Sequence, residues 1–364
     1  MIGRVLCNKA SLSFYKFMLP RYRLFLFVFL VFLIQISACS TVSKQTKPIV
    51  WPKPPAEPRV IYELTLRNQS SLSVKQNEER LREIATGISS SDVQSLLKPY
   101  DVAAFGGLVV VSDSLMSSVH VFDVPRKKLF QMGWRGQGKL RKPLGVAIDS
   151  SQNIYVADAG LGRVVKFDKR GHFISFIGEQ GDLSRISDVA VDDINNKIYV
   201  LDRGGVESVD HQVLVYSIAG VRLGTIGKRG HKPGYFNHPN QLAVNSHGEL
   251  FVLDAGNFRV QIFNSKGEYV RSWGKLGNQL GNLARPRGIA LDAESNVYVT
   301  DGAYQNFQIF NSHGQLLLNI GSGGGQDLPG NFLLPAGIAI DETNRIYVVD
   351  QIRRKVDVLR LLQQ

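Results

Sequence analysis

Short apolar stretches rich in β-branched and aromatic residues, broken every few positions by Asn, Asp, Ser or Gly, run through most of the chain and predict short strands. GIAL, NVYVT, NFQIF and QLLLNI, read in order between Gly288 and Ile320, predict four in succession. That unit recurs. KPYDVAAFGGLVVVSD, KPLGVAIDSSQNIYVAD, RISDVAVDDINNKIYVLD, HPNQLAVNSHGELFVLD, RPRGIALDAESNVYVTD and LPAGIAIDETNRIYVVD each hold the first two strands of a copy and close on an aspartate. The closing residues, Asp113, Asp158, Asp202, Asp254, Asp301 and Asp350, are separated by 45, 44, 52, 47 and 49 residues, a period that signals propeller blades rather than helical solenoids. From the aromatic that follows each copy to a later glycine is 11 residues in Phe122 to Gly133, Phe167 to Gly178, Tyr216 to Gly227, Phe263 to Gly274 and Phe310 to Gly321, which implies one fixed hairpin.

Two segments depart from this rhythm. The sixth copy ends after a third strand, KVDVLRLLQQ, and a ring that stops one strand short exposes an edge. RVIYELTL, residues 59–66, is the one unassigned β-like segment, so it is expected to close blade six. Between it and the first blade, residues 67–98 contain NEERLREIATGI, in which Leu81, Ile84, Ala85 and Ile88 fall at i, i+3, i+4 and i+7 and predict an amphipathic helix. The helix packs on the propeller flank or covers the channel mouth.

The pattern P-x-G-I-A-x-D followed by I-Y-V-x-D-x-G-N-x-R-V-x-x-F, clearest in blades two, four and five, resembles the NHL repeat family. The resemblance spans residues 97–364 and implies an all-β, six-bladed β-propeller of four-stranded blades. Blade one departs most, with Phe105 where other copies have Asp149 or Asp292.

Before the repeats, Leu24 to Ile36 is an apolar run of 13 residues behind Arg21 and Arg23, the length of a signal-peptide core. It ends in ISACS, which resembles the bacterial lipobox, with cleavage before Cys39 and lipid on its thiol. Residues 1–38 are therefore expected to be a lipoprotein signal peptide, the compact leader beginning at Met1 or at Met18. Ser40 rather than Asp after the cysteine resembles the outer-membrane sorting class. Cys7 lies in the leader, so no thiol remains for a disulfide or a thiolate metal site. Residues 39–58, polar and then proline-rich, read as a semi-extended tether. Loss of residues 1–38 lowers the formal charge from +12 to +7, a moderate basic balance that in a Gram-negative envelope implies acidic partners or surfaces rather than nucleic acid.

Candidate chemistry follows from comparing copies: a residue present in every blade answers to the fold, and one that breaks the pattern answers to a ligand. The closing aspartates recur six times and read as loop caps that accept backbone N–H groups, with Arg163, Arg259 and Lys355 placed to pair across the loop. The position before each first strand is Lys98, Lys142, Arg185, His238, Arg285 or Leu334, a basic collar around the channel on the face where loop lengths vary. The largest insertion on that face is Arg67 to Lys98, and among the turns between second and third strands the longest is Arg203 to Gln212 in blade three. Side chains that merely snorkel to water are the plainer reading of the collar.

Three residues further in, Asp101 and Asp188 interrupt a glycine pattern, and with His238 they could ligate a divalent cation; neutralisation of Lys98 and Arg185 is the other account of them. GSGGGQDLPG, residues 321–330, precedes no helix and reads as a flexible crossover rather than a phosphate loop.

The function expected from these observations is a lipid-anchored platform in the envelope, without enzymatic activity or cofactor. It recognises an envelope protein, a peptide or a polysaccharide through Lys98, Lys142, Arg185, His238 and Arg285. The alternative is a metal-dependent hydrolase or lyase with its divalent cation at Asp101, Asp188 and His238.

Overall fold

The computed structural model describes residues 48–72, 95–179, 181–205 and 207–362. The leader, Cys39 and the helix expected over residues 77–88 lie outside the described residues. Among the described residues, no helix is long and apolar enough to cross a membrane.

Two strands, β1 (Val50–Trp51) and β2 (Val60–Leu66), precede the repeats. Blade one comprises β3 (Pro99–Phe105), β4 (Leu108–Asp113), β5 (Ser118–Asp123) and β6 (Lys128–Met132). Blade two follows with β7 (Pro143–Ile148), β8 (Ile154–Asp158), β9 (Arg163–Phe167) and β10 (Phe173–Ile177), and blade three with β11 (Ile186–Asp192), β12 (Lys197–Asp202), β13 (Gln212–Ser217) and β14 (Arg222–Ile226). Blade four holds β15 (Gln241–Val244), β16 (Leu250–Asp254), β17 (Arg259–Phe263) and β18 (Tyr269–Trp273). Blade five holds β19 (Pro286–Leu291), β20 (Val297–Asp301), β21 (Asn306–Phe310) and β22 (Leu316–Ile320). The chain ends with β23 (Pro335–Ile340), β24 (Arg345–Asp350) and β25 (Lys355–Leu361).

Each blade is an antiparallel meander, and the first strands touch in the cyclic order β3, β7, β11, β15, β19, β23 and back to β3. They therefore line the axis of a closed six-bladed ring. The second and third strands are buried on both faces and carry the core, which divides into six apolar clusters, one between each pair of neighbouring blades. Fully buried Phe122, Phe167, Tyr216, Phe263 and Phe310, the aromatics of the 11-residue spacing, sit in these clusters.

Blade six closes as expected: β2 pairs with β25 from Val60↔Leu361 to Leu66↔Val356. Glu63 forms ion pairs with Arg345 (2.7 Å) and Arg360, and the Thr65 hydroxyl donates to Asp357 Oδ1 at 2.6 Å. One part of the tether is structured after all. β1 adds a fifth strand outside β2, and Trp51 packs in the core cluster between blades five and six. The apolar pair Val50–Trp51 finds a free edge there, which the surrounding prolines obscured in the sequence.

The glycine-rich crossover between blades five and six is pinned rather than free. Asp327 receives Arg67, Arg353 (3.3 Å) and Lys355 (3.0 Å). Lys355 thus turns to Asp327 and Asp357 instead of Asp350.

Candidate functional site at the channel mouth

At the end of the second strand in each blade, the recurrent aspartate ties two loops together. Asp301 accepts N–H groups of Ala284 (2.8 Å) and Arg285 (3.0 Å) from the preceding crossover, and of Ala303 (2.9 Å) and Tyr304 (3.2 Å) from its own turn. Asp113, Asp158 and Asp350 do the same. The clip has two consequences. It holds the turn residue four positions after the aspartate in a left-handed conformation, with φ of 51° at Ser117, 55° at Gln305 and 55° at Arg354, which non-glycine residues rarely adopt. It also puts the crossovers and the second-to-third-strand turns on one face, so the long loops share that face. Of the expected basic partners only Arg259 reaches its aspartate, at 2.8 Å from Asp254; Arg163 stacks on the ring of Phe176.

The backbone that the aspartates fix carries the collar residues. Lys98, Lys142, Arg185 and Arg285 are exposed around the axis, and none joins an ion pair among the described residues. His238 differs. Its N–H goes to His211 Nδ1 (3.1 Å) instead of an aspartate, and the two rings lie 4.7 Å apart. Burial, then the neighbouring His211 and the cations Arg203, Arg229 and Arg185, push the His238 imidazole below its usual range, so it is neutral at pH 7. The collar therefore has four lysine or arginine side chains and one neutral ring. His211 belongs to the long blade-three loop, which is thereby docked onto blade four.

The two aspartates inside the channel serve the ring. Asp101 Oδ2 accepts the N–H of Val146 in blade two (3.0 Å), and Asp188 Oδ2 accepts that of Leu242 in blade four (2.7 Å). Gln241 makes the equivalent bond to Ile289 in blade five (3.0 Å). The glycines between them are there for room: a Cβ at Gly145 would lie 2.0 Å from Asp188 Oδ1, and one at Gly337 2.1 Å from Asp101 Oδ1. Neither aspartate pairs with Lys98 or Arg185. Among the described residues, no group of three or more His, Cys, Asp or Glu is placed to hold a metal, so His238 does not complete a ligand set with them. Burial raises the Asp101 carboxyl to about 6, and burial together with the charge of Asp101 raises Asp188 well above the usual carboxylate range. A neutral carboxyl still accepts the N–H it holds, which is why the stitch survives protonation.

Comparison of copies at two other columns, the one two positions after the collar and the one after the closing aspartate, would have found two more cations. Arg287 stands where other blades have Tyr100, Leu144, Ser187, Asn240 and Ala336, and Arg203 follows Asp202 where they have Ser114, Ala159, Ala255, Gly302 and Gln351. Gly302 leaves space for the stem of Arg287, whose Cδ would lie 3.1 Å from a Cβ there. Burial and the charges of Arg285 and Arg203 press the Arg287 guanidinium below its usual range, while Tyr100 opposes that shift.

Apolar side chains are unevenly spread between the faces. Leu115, Met116, Trp134, Val209, Leu276, Leu280, Leu328 and Ile352 are exposed on turns and crossovers of the collar face, against Val124, Ile194 and Val221 on the hairpins of the other. The four basic side chains of the collar thus stand among exposed apolar loop tips.

A family model described as NHL repeat matches residues 140–167 and 236–263, the first three strands of blades two and four. Human NHL repeat-containing protein 3 is 27% identical over 123 residues, 31% of this chain and 35% of that protein. The Drosophila melanogaster protein brain tumor is 30% identical over 132 residues, 35% of this chain. The match covers 12% of brain tumor, so this chain spans well under half the length of these curated relatives. Among solved structures, a gluconolactonase from Xanthomonas campestris superposes with a TM-score of 0.56 at 17% identity, covering 73% of this chain and 87% of that one. A streptogramin B lyase gives 0.54 at 12% identity over 73% and 94%. At such identities the likeness is one of fold.

Proposed function

We propose, from the premise that this chain is an NHL-repeat six-bladed β-propeller, that it is a binding platform whose collar face receives an envelope protein, peptide or glycan. The observation that carries this reading is the face itself, where four basic side chains without ion-pair partners among the described residues surround the axis among exposed apolar loop tips. A triple change of Lys142, Arg185 and Arg285 to glutamine tests it against a matched change at Lys127, Lys169 and Lys266, exposed residues of the opposite-face hairpins. Both remove the same charge. The first variant is expected to lose binding to acidic envelope components by about tenfold and to flatten its salt dependence, while the second stays near the unmodified protein. Equal loss in both, measured by surface capture across a salt series, would reduce the effect to net charge.

The platform is proposed to be held at the membrane of a Gram-negative envelope by lipid on Cys39, with the propeller in the periplasm or at the cell surface. The apolar run ending at that cysteine supports this. Cells labelled with palmitate are expected to mark the unmodified chain and not Cys39→Ala; label that persists in the variant removes the assignment.

A metal-dependent hydrolase or lyase is the second reading, drawn from Asp101 and Asp188, which lie against Gly337 and Gly145 at the start of neighbouring first strands. Metal analysis of the purified protein separates the two, because a stoichiometric divalent cation favours the enzyme.

A further inference from the structure

On the face opposite the collar, third-to-fourth-strand hairpins seal the junctions between blades. The hairpins of blades two to five share one turn, in which the N–H of Gly171, Gly220, Gly267 or Gly314 donates to the carbonyl three residues earlier (2.8–2.9 Å) and the glycine takes a φ of 81–88°. Each glycine rests on the fourth strand of the blade before: a Cβ would lie 2.8 Å from Met132, 3.7 Å from Ile177, 3.0 Å from Ile226 and 2.4 Å from Trp273 respectively. The preceding blade also grips the turn, since Lys197 Nζ donates to Ser265 O (2.6 Å) and Arg271 Nε to Ser312 O (3.4 Å). The blade-one hairpin meets β2 likewise, with Val124 lining a cavity beside Leu64 and Leu66. Blade six has no such hairpin, because β25 joins β2 by strand pairing alone.

The junction of blades five and six therefore lacks the element that seals the others, and a cavity of about 520 Å³ opens there, against about 180 Å³ between blades three and four. The two cavities are the same place in the repeat. Asn296, Tyr298, Ile309, Leu317 and Leu318 line the larger where Lys197, Tyr199, Val215, Leu223 and Gly224 line the smaller, and the larger has Leu361 and Leu362 instead of the turn residues Ser265, Lys266 and Gly267. Its size is that of a ligand cleft. Its charge differs from that of the chain as a whole: in a sequence of formal charge +12, the lining carries two carboxylates, Asp292 and Glu294, and one guanidinium, Arg59. Glu294 is exposed and joins no ion pair among the described residues. Arg59 donates to Leu317 O, so a guanidinium stands at β22 where Arg271 stands at β18.

We infer that this junction seats a tight turn of a partner polypeptide, with a left-handed glycine over β22 and a cationic residue before it facing Glu294. The other blades supply the template. The residue before the glycine is Arg170, Lys266 or His313 in three of the four turns, and Lys266 lines the cavity of its own junction. Complementary charge thus selects a basic turn, which the acidic lining attracts and the collar repels. The site lies beyond the platform reading and does not depend on it.

The test uses the full-length protein, fluorescence anisotropy and labelled cyclic hairpin peptides that present the turn of residues 264–268, as it stands or with Lys266→Glu or Gly267→Val. The unmodified protein is expected to bind the first peptide about tenfold tighter than the valine peptide, the scale of forcing a β-branched residue into the left-handed region. It should prefer the first over the glutamate peptide by about fivefold, the scale of an exposed ion pair. Glu294→Lys, a change at an exposed position, should reverse that second preference, which a structural defect would not do. The collar triple variant should bind as the unmodified protein does. No saturable binding, equal affinity for the valine peptide, or a preference that survives Glu294→Lys overturns the proposal. Loss of binding in the collar variant would move the probe to the other face and overturn it as well. Dimerisation of the protein that displaces the probe would make a second copy the occupant, and tighter binding on deletion of Gln363 and Gln364 would make it the chain's own segment; either overturns the partner.

Discussion

A chain that begins at Gln69 is expected to lose cooperative folding, whereas one that begins at Trp51 keeps it. The shorter chain lacks β2, and with it the whole ladder from Val60↔Leu361 to Leu66↔Val356. Val60 and Leu66 are 0% and 1% exposed, and full burial of such side chains is worth about 1.5–3 kcal/mol each. Loss of the Glu63 and Thr65 contacts leaves Asp357 and Lys355 facing a vacated edge. The summed loss, about 5 kcal/mol or more, is comparable to the whole stability of an ordinary domain, about 5–15 kcal/mol. The bared β25 would also offer an unpaired edge for aggregation. Thermal melts and size-exclusion profiles of the two chains check this, and equal melting temperatures with equal monomer fractions would show that β2 is not the closing strand.

Substitution of two aspartates of nearly equal burial is expected to change stability in opposite directions. Asp301→Ala removes the acceptor of four backbone N–H groups that join two loops, and releases the strained turn at Gln305. The expected loss is about 3–5 kcal/mol. Asp188→Asn instead removes a group whose charge the fold resists while keeping an oxygen for the Leu242 N–H. Because burial and Asp101 raise the Asp188 carboxyl, the folded state binds protons that the unfolded state releases. Its contribution is therefore full below about pH 4, the usual aspartate range, and is lost as pH rises through the folded-state value, with Asp101 adding a loss around 6. The asparagine variant should be more stable than the unmodified protein by about 1–3 kcal/mol at about pH 8, and the gap should close on acidification to about pH 4. Urea unfolding at the two pH values measures both quantities. An asparagine variant less stable at the higher pH would mean that Asp188 is held as a charged group by something the stitch does not include.

Repetition made the ring legible. Six copies at a near-constant spacing are six solutions to one local problem, so the aspartate that recurs six times could be assigned to loop capping before any contact was known. The unfinished sixth copy likewise named its missing strand, since hydrogen-bond valence at an open sheet edge must be met. The collar was legible only in part. Lys98, Lys142, Arg185 and Arg285 stand out as a column, but nothing local to His238 reveals that it lies against His211 and stays neutral.

Most of the residues that sequence reasoning missed or misassigned act beyond their own blade, Arg163 on Phe176 of blade two excepted. Arg203, Arg287 and Tyr100 come from alternate blades, Asp188 reaches the blade after its own, and Lys355 finds Asp327 in the crossover that precedes blade six. The chain by itself determined the strand pattern, the number of blades, the capping aspartates and the closing strand, because each follows from periodicity and from backbone groups that must be paired within a blade or at its edge. Tertiary structure alone decided which side chains meet around the axis and which of the described residues form ion pairs. Those distances depend on closure of the ring, which brings together side chains whose separation along the sequence carries no trace of their contact.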